Sequence, residues 1–233
     1  MITAAPNDPP DLGLPDLGLP NFGPPDFDIA FRRQLHSLIV WRRDVRRFRP
    51  DPLPPEQVER LLATACLSPS VGLSEPWRFV LVEDPARRRA VRDNFLRCNA
   101  AAATDYADER AARYARLKLA GLDEAPVHLA VFADRSTLQG HGLGRRTMPE
   151  AADYSVVTAI HTLWLTARAE GIGMGWVSIL DPAPLGVLLD VPPDWRFIGY
   201  FCLGLPAEAD DTPALERQGW DARHPSAEVL LRR

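Results

Sequence analysis

The longest helical pattern in this chain covers residues 149–170, ends at Gly171 and Gly173, and leads straight into an apolar strand-like run from Met174 to Leu180. Val156, Val157, Ile160, Leu163, Trp164 and Ala167 recur at helical spacing and are expected to point inward. Glycine just past such a run is a stop signal, because it adopts the left-handed backbone that closes the last turn. Three more runs read as strands: Trp77 to Val82, Val127 to Phe132, and Arg196 to Leu203. Between them, helical patterns cover 29–41, 55–67 and 85 to about 98, with Pro55 and Pro85 suited to a first turn. Helices and strands mix without a regular βαβ alternation. This predicts an α+β fold rather than a doubly wound sheet.

Residues 1–28 form no such pattern. They hold seven prolines and an imperfect repeat, Asp-Leu-Gly-Leu-Pro twice and then Asn-Phe-Gly-Pro-Pro. Proline removes backbone donors and glycine interrupts helix, so an extended, disordered tail is expected. The tail carries five Asp and no Lys or Arg, which more than accounts for the net charge of −4. The rest of the chain, 29–233, reads as one domain with no basic footprint for nucleic acid. Within it, 104–122 is polar and helical and suggests a lid, and 206–233 is a polar C-terminal extension that could wrap a neighbour. No apolar run approaches the roughly 20 residues of a membrane span. Cys66, Cys98 and Cys202 lie far apart, which points to a reducing, cytoplasmic setting without disulfides. The five histidines show no ligand spacing, so no metal is expected.

Four segments invite chemistry. Arg42-Arg43-Asp44-Val45-Arg46 gathers three forked cations around one carboxylate. It reads either as a solvated, salt-bridged helix end or as an anion site. In the second case Asp44 is a counter-ion, or a base beside the anion. Ser68-Pro69-Ser70-Val71-Gly72, followed by Pro76-Trp77, is either a binding loop or a plain helix-to-strand connection. Gly140 to Arg145 superficially resembles a phosphate cradle but lacks the Lys-Ser/Thr of a P-loop, and reads as a flexible turn. In Gly173-Met174-Gly175-Trp176-Val177-Ser178, two strand glycines mark close approach of another backbone or of a ligand. Ser178 there needs a hydrogen-bond partner, either backbone or ligand.

Together these segments resemble the flavin-binding nitroreductase superfamily, with its Arg-Arg-x-x-Arg element, Pro-Ser loop, Pro-Trp strand and Gly-x-Gly-Trp strand. Within it the resemblance is strongest to the 5,6-dimethylbenzimidazole synthase branch of cobalamin biosynthesis. Tyr114 through Leu119 and Leu163-Trp164-Leu165 with Ala167 to Gly171 add to it. Two positions depart from the superfamily pattern: Leu73 stands near the usual Asn, which fits this branch, and Glu75 replaces the usual Gln.

The resemblance implies a central mixed, mainly antiparallel sheet flanked by helices, in a homodimer with flavin at the subunit interface. It implies FMN in its reduced form as substrate and dioxygen as co-substrate. The products would be 5,6-dimethylbenzimidazole and erythrose 4-phosphate. It places Arg42, Arg43, Asp44, Val45, Arg46, Ser70, Lys118, Leu119, Trp176 and Ser178 at the flavin, with Asp44 and Ser178 in the chemistry. It also implies an external flavin reductase, because a closed lid would block nicotinamide. Two other readings stand beside this one: a conventional NAD(P)H-dependent nitro or flavin reductase, and a non-enzymatic flavin-binding protein.

Overall fold

The computed structural model describes residues 26–233. All but the last three residues of the proline-rich segment 1–28 lie outside that range. The helices are α1 (Ile29–Trp41), α2 (Pro55–Ala65), α3 (Pro85–Ala103), α4 (Asp108–Arg116), α5 (Ala151–Ala169), α6 (Leu185–Leu188) and α7 (Ala214–Arg217). The strands are β1 (Trp77–Leu81), β2 (Val127–Asp134), β3 (Gly173–Val177) and β4 (Trp195–Gly204), in sheet order β1-β2-β4-β3. Each neighbouring pair of these strands is antiparallel. Among the described residues, mixed character comes from an isolated parallel bridge between Asp44 and Met174.

The sheet is covered on both faces, which is why β2 reads as a continuous apolar run rather than an alternation. Leu129, Val131 and Ala133 face one core with Phe201 and Leu203 of β4, and with α2 and α5. Ala130 and Phe132 face the other, with Tyr200, Cys202 and the α3 residues Val91 and Phe95.

Helix α5 supplies most of the first cover. Ala152, Ser155, Val156, Ala159, Ile160, Leu163, Trp164 and Ala167 are buried, the spacing of one wide helical stripe. Val157, expected inward, is instead 40% exposed, because it falls at the outer edge of that stripe, just beyond Trp164. Ser155, Thr158, Thr162 and Thr166 each donate a hydroxyl hydrogen bond to the carbonyl four residues earlier, so this helix carries hydroxyls without orphaned donors. Gly171 (φ 77°) closes it, with Ile172 N–H reaching back to the Ala167 carbonyl at 2.8 Å. Ile172 is then buried and the chain enters β3.

Asp28 caps helix α1, accepting from Phe31 N–H at 2.7 Å. Its apolar residues Ile29, Phe31, Leu35, Ile39 and Trp41 are all at least 40% exposed. The periodic pattern is real; among the described residues Phe27 stacks on Phe31 at 4.6 Å and the Arg168 guanidinium lies 5.8 Å over Trp41, and the apolar side chains of that face otherwise stay largely exposed.

A polar pair lies inside the second core. The His128 Nδ1 and the Tyr200 hydroxyl share a 2.9 Å hydrogen bond, and both residues are buried. Burial, then the Arg88 charge, push the His128 pKa down to about 4. An unfolded histidine titrates near 6.5, so the unfolded chain binds this proton first as pH falls. The resulting stabilisation is whole above about pH 6.5 and is lost toward about pH 4. From this residue we expect unfolding free energy to drop by roughly 2–3 kcal/mol between those limits. Urea melts should show His128→Gln flattening the drop; an unchanged slope would show that His128 is not its source.

Candidate active site

Helix α1 stops at Arg42, whose backbone turns extended (ψ 109°) after its N–H bonds to the Leu38 carbonyl. The following residues lie along the free edge of β3. Val45 N–H donates to the Met174 carbonyl at 3.0 Å. One Asp44 oxygen accepts from Trp176 N–H at 2.8 Å, and the other from Arg46 Nε at 2.6 Å. The Trp164 indole N–H donates to the Arg43 carbonyl at 3.2 Å, and the Arg42 guanidinium sits 4.9 Å over that ring. The β3 glycines make this approach possible. A Cβ on Gly175 would lie 2.0 Å from the Val45 carbonyl oxygen. Of the two reasons for strand glycines, close approach of backbone is the one realised.

Asp44 therefore fastens the arginine segment to the sheet, and Arg43, Asp44, Val45 and Arg46 line a cavity of about 290 Å³. Lys118 also lines it, as do Arg47, Arg168 and Arg217, which the sequence reading did not single out. Six cationic side chains thus face three carboxylates, those of Asp44, Glu208 and Asp210. Arg168 lies in the Ala167–Gly171 run that contributes to the resemblance but was given no site role there, and Arg217 carries no local motif; the tertiary fold draws both in. Lys118 is placed by two contacts. Its carbonyl accepts from Arg46 at 3.2 Å, and its ammonium pairs with Glu124 at 2.7 Å.

An adjoining cleft holds Arg42, Arg43, Arg46 and Arg223 against Asp44. Burial first, and then the Arg223 charge, lower the pKa of both Arg42 and Arg43, while Asp44 opposes this at Arg42. Such crowding of like charge is relieved by an anion, so these residues suit a phosphate-bearing ligand.

The remaining expected residues divide. Trp176 is half-buried, its ring 4.9 Å from Phe201. Leu119 is half-buried and borders a small groove shared with Lys118 and Phe95. Ser178 is not on a strand and not buried: pairing of β3 with β4 ends at Val177, so the next residue turns outward and is exposed. Of the two partners expected for its hydroxyl, a buried backbone bond is not the one realised.

Ser70 is not brought to the arginines. Its hydroxyl accepts from Glu75 N–H at 3.1 Å, and the next amide, Val71 N–H, donates to Ser155 on α5 at 3.0 Å. This loop leads into β1, the sheet edge opposite β3, three strand spacings of about 4.8 Å away. Gln139 donates to both the Glu75 carboxylate and the Leu73 carbonyl at 2.9 Å. The glycine-rich turn is thus packed on the Pro-Ser loop rather than free. Among the described residues no group of three His, Cys, Asp or Glu could hold a metal, and no helix is long and apolar enough to cross a membrane.

A profile of the nitroreductase family matches residues 39–205. The 5,6-dimethylbenzimidazole synthase of Rhodospirillum rubrum is 59% identical over 199 residues, covering 85% of this chain and 94% of that one. A 5,6-dimethylbenzimidazole synthase of Rhodobacter capsulatus is 49% identical over 200 residues, covering 86% and 97%. Among solved structures, oxidized iodotyrosine deiodinase bound to FMN and 3-iodo-L-tyrosine matches with a TM-score of 0.65 at 24% identity, over 85% of this chain and 97% of that chain.

Because Gly175 admits the Val45 carbonyl, Gly175→Ala must push residues 42–46 off β3. We expect a loss of stability of about 1–3 kcal/mol, as for other overpacked sites, and a much weaker affinity for phosphate-bearing ligands. Urea melts and FMN titration would check this; unchanged affinity would detach the arginine cluster from the β3 edge.

Proposed function

Because this chain belongs to the nitroreductase family, we infer that it is a 5,6-dimethylbenzimidazole synthase, forming 5,6-dimethylbenzimidazole from FMN. The observation that carries this reading is the 42–46 segment, an anion-ready arginine cluster built around a carboxylate, in a chain 59% identical to a synthase of that name. Reduced FMN, as substrate, supplies the electrons that dioxygen accepts and the ring carbons of the product.

Each residue then has a task. Arg42, Arg43 and Arg46 bind the phosphate and the electron-rich edge of the flavin, and their fixed charge favours its anionic reduced form. Lys118 lines the same cavity beside Arg46, its ammonium paired with Glu124. Asp44 spends one lone pair per oxygen on Trp176 N–H and Arg46 Nε. A carboxylate oxygen offers two lone pairs, so each keeps one with which to take a proton. Ser178, exposed two residues beyond Trp176, offers a hydroxyl donor. Val45, Leu119 and Trp176 wall the site.

Two features support a homodimer. Ser70 lies at the sheet edge opposite Asp44, so both meet one flavin only if the Pro-Ser loop comes from a second copy. The open apolar face of α1 is a surface for that copy. Helix α4 and its flanks, 104–122, act as a lid that excludes water. A closed lid keeps nicotinamide out as well, so electrons arrive with FMN already reduced by a separate flavin reductase.

The test is anaerobic reduction of FMN with the protein, then admission of air and analysis of products. Wild type should yield 5,6-dimethylbenzimidazole; only oxidised FMN and hydrogen peroxide would sink the reading in favour of an ordinary reductase. Asp44→Asn run alongside keeps the acceptor for Trp176 N–H. FMN should still bind, with product lower by roughly 100-fold, the usual order for removing general acid–base catalysis. Near-normal yield would leave Asp44 a structural staple alone.

Ile39→Glu puts a charge in the open α1 face. Light scattering should give twice 25.9 kDa for wild type and a single chain's mass for the variant, with loss of turnover. A monomeric wild type with full activity would contradict the shared site.

A further inference from the structure

The chain beyond β4 runs back across the candidate site. Arg49 N–H donates to the Leu205 carbonyl at 2.8 Å, and Ala207 N–H to the Arg47 carbonyl at 3.0 Å. The Arg43 guanidinium donates to the Asp211 carbonyl, with Nε at 2.7 Å. The C-terminal extension thus straps its own chain. Helix α7 follows and lines the cavity through Ala214, Arg217 and Gln218. A turn then closes on itself, with Trp220 N–H bonded to the Leu215 carbonyl at 2.9 Å.

That turn delivers the Trp220 indole to α4. The ring lies edge-on to Tyr106 at 5.2 Å and 6.1 Å from Tyr114, and those two tyrosines are 4.9 Å apart. Arg110 sits 5.8 Å over the indole, and Arg113 donates to the Gly219 carbonyl at 3.0 Å. Helix α4 has little else to hold it. It is 9 residues long, and Tyr114 is its one buried side chain, anchored to Asn99 on α3 at 2.7 Å. A helix that short does not persist in water on its own propensity. Two residues past its end is Lys118, bonded to Arg46 and facing the cavity.

We propose that Trp220 is a positioning residue: its indole, docked on Tyr106, Tyr114 and Arg110, holds α4 in place and so sets Lys118 against Arg46 at the cavity edge. The strap that carries Trp220 is fastened to Arg43, so one segment ties the anion cluster to the lid. The catalytic consequence rests on the flavin-site reading above; the structural consequence does not.

The test uses the full chain with Trp220→Ala and Trp220→Phe. Without flavin, hydrogen exchange at amides 108–118 should accelerate about tenfold or more in Trp220→Ala, since aromatic and cation–π contacts are lost together. Exchange in β2 and β4 should not change, and Trp220→Phe should recover most of the protection. With reduced FMN and air, Trp220→Ala should give several-fold less 5,6-dimethylbenzimidazole per dioxygen consumed and more hydrogen peroxide, again recovered by Phe. Unchanged exchange at 108–118 would overturn the proposal. So would equal acceleration through β2 and β4, because Trp220 would then support the whole fold. A wild type that makes no 5,6-dimethylbenzimidazole defeats the functional reading, and the flavin-free exchange still decides Trp220.

Discussion

The site depends on one contact: the extended chain at Asp44 and Val45 laid against the outer edge of β3. Its backbone bond to Met174 is ordinary in strength, and its carboxylate also takes the Trp176 N–H. They matter because they are half-buried and jointly locate the arginines. A carboxylate accepting a backbone amide and a guanidinium is a charge-assisted clamp, about twice as strong as a neutral hydrogen bond. Gly175 is the condition for it, since any side chain there would occupy the place of the Val45 carbonyl.

What holds β3 in place is the layer behind it. Helix α5 covers one face of the sheet, and its glycine-closed end drops the chain into β3 beside β4. Arg168 of its last turn and Trp164 one turn earlier therefore reach the same site, the first into the cavity and the second under Arg42 and Arg43. The binding surface is thus an edge property of a rigid two-faced core, which keeps the cationic groups apart despite their repulsion. Half-burial makes that repulsion count, because water screens it less there than on an open surface.

Much of this was legible residue by residue. The α5 stripe, the apolar strands and the glycine stop follow from periodicities of 3.6 and 2 that any core must satisfy. The arginine cluster was visible because its members are consecutive. Arg217 and Arg223 were not, since nothing local distinguishes them from surface arginines, and the motif holding Arg168 gave no hint that its guanidinium reaches the cavity. Ser178 misled because an apolar run continues past Val177 to Leu180, whereas the strand stops where its pairing with β4 stops. Val157 misled because an apolar type on a helix was taken for an inward one.

Local pattern alone specified the main strands, the starts of the long helices and the charged segment, because these depend on backbone conformation and on neighbours within a few residues; it stopped α3 near Cys98 where the helix runs to Ala103, and it missed the short α6 and α7. It also carried the family resemblance, since those motifs are short and contiguous. Only the tertiary structure decided that Asp44 is a staple to β3, and that the strand glycines admit a backbone. It alone places Ser70 across the sheet from the arginines and brings Trp220 to the lid. Each of these joins residues far apart in the chain. Such contacts are set by which surfaces the packed layers leave free, and that is a property of the whole fold rather than of any segment.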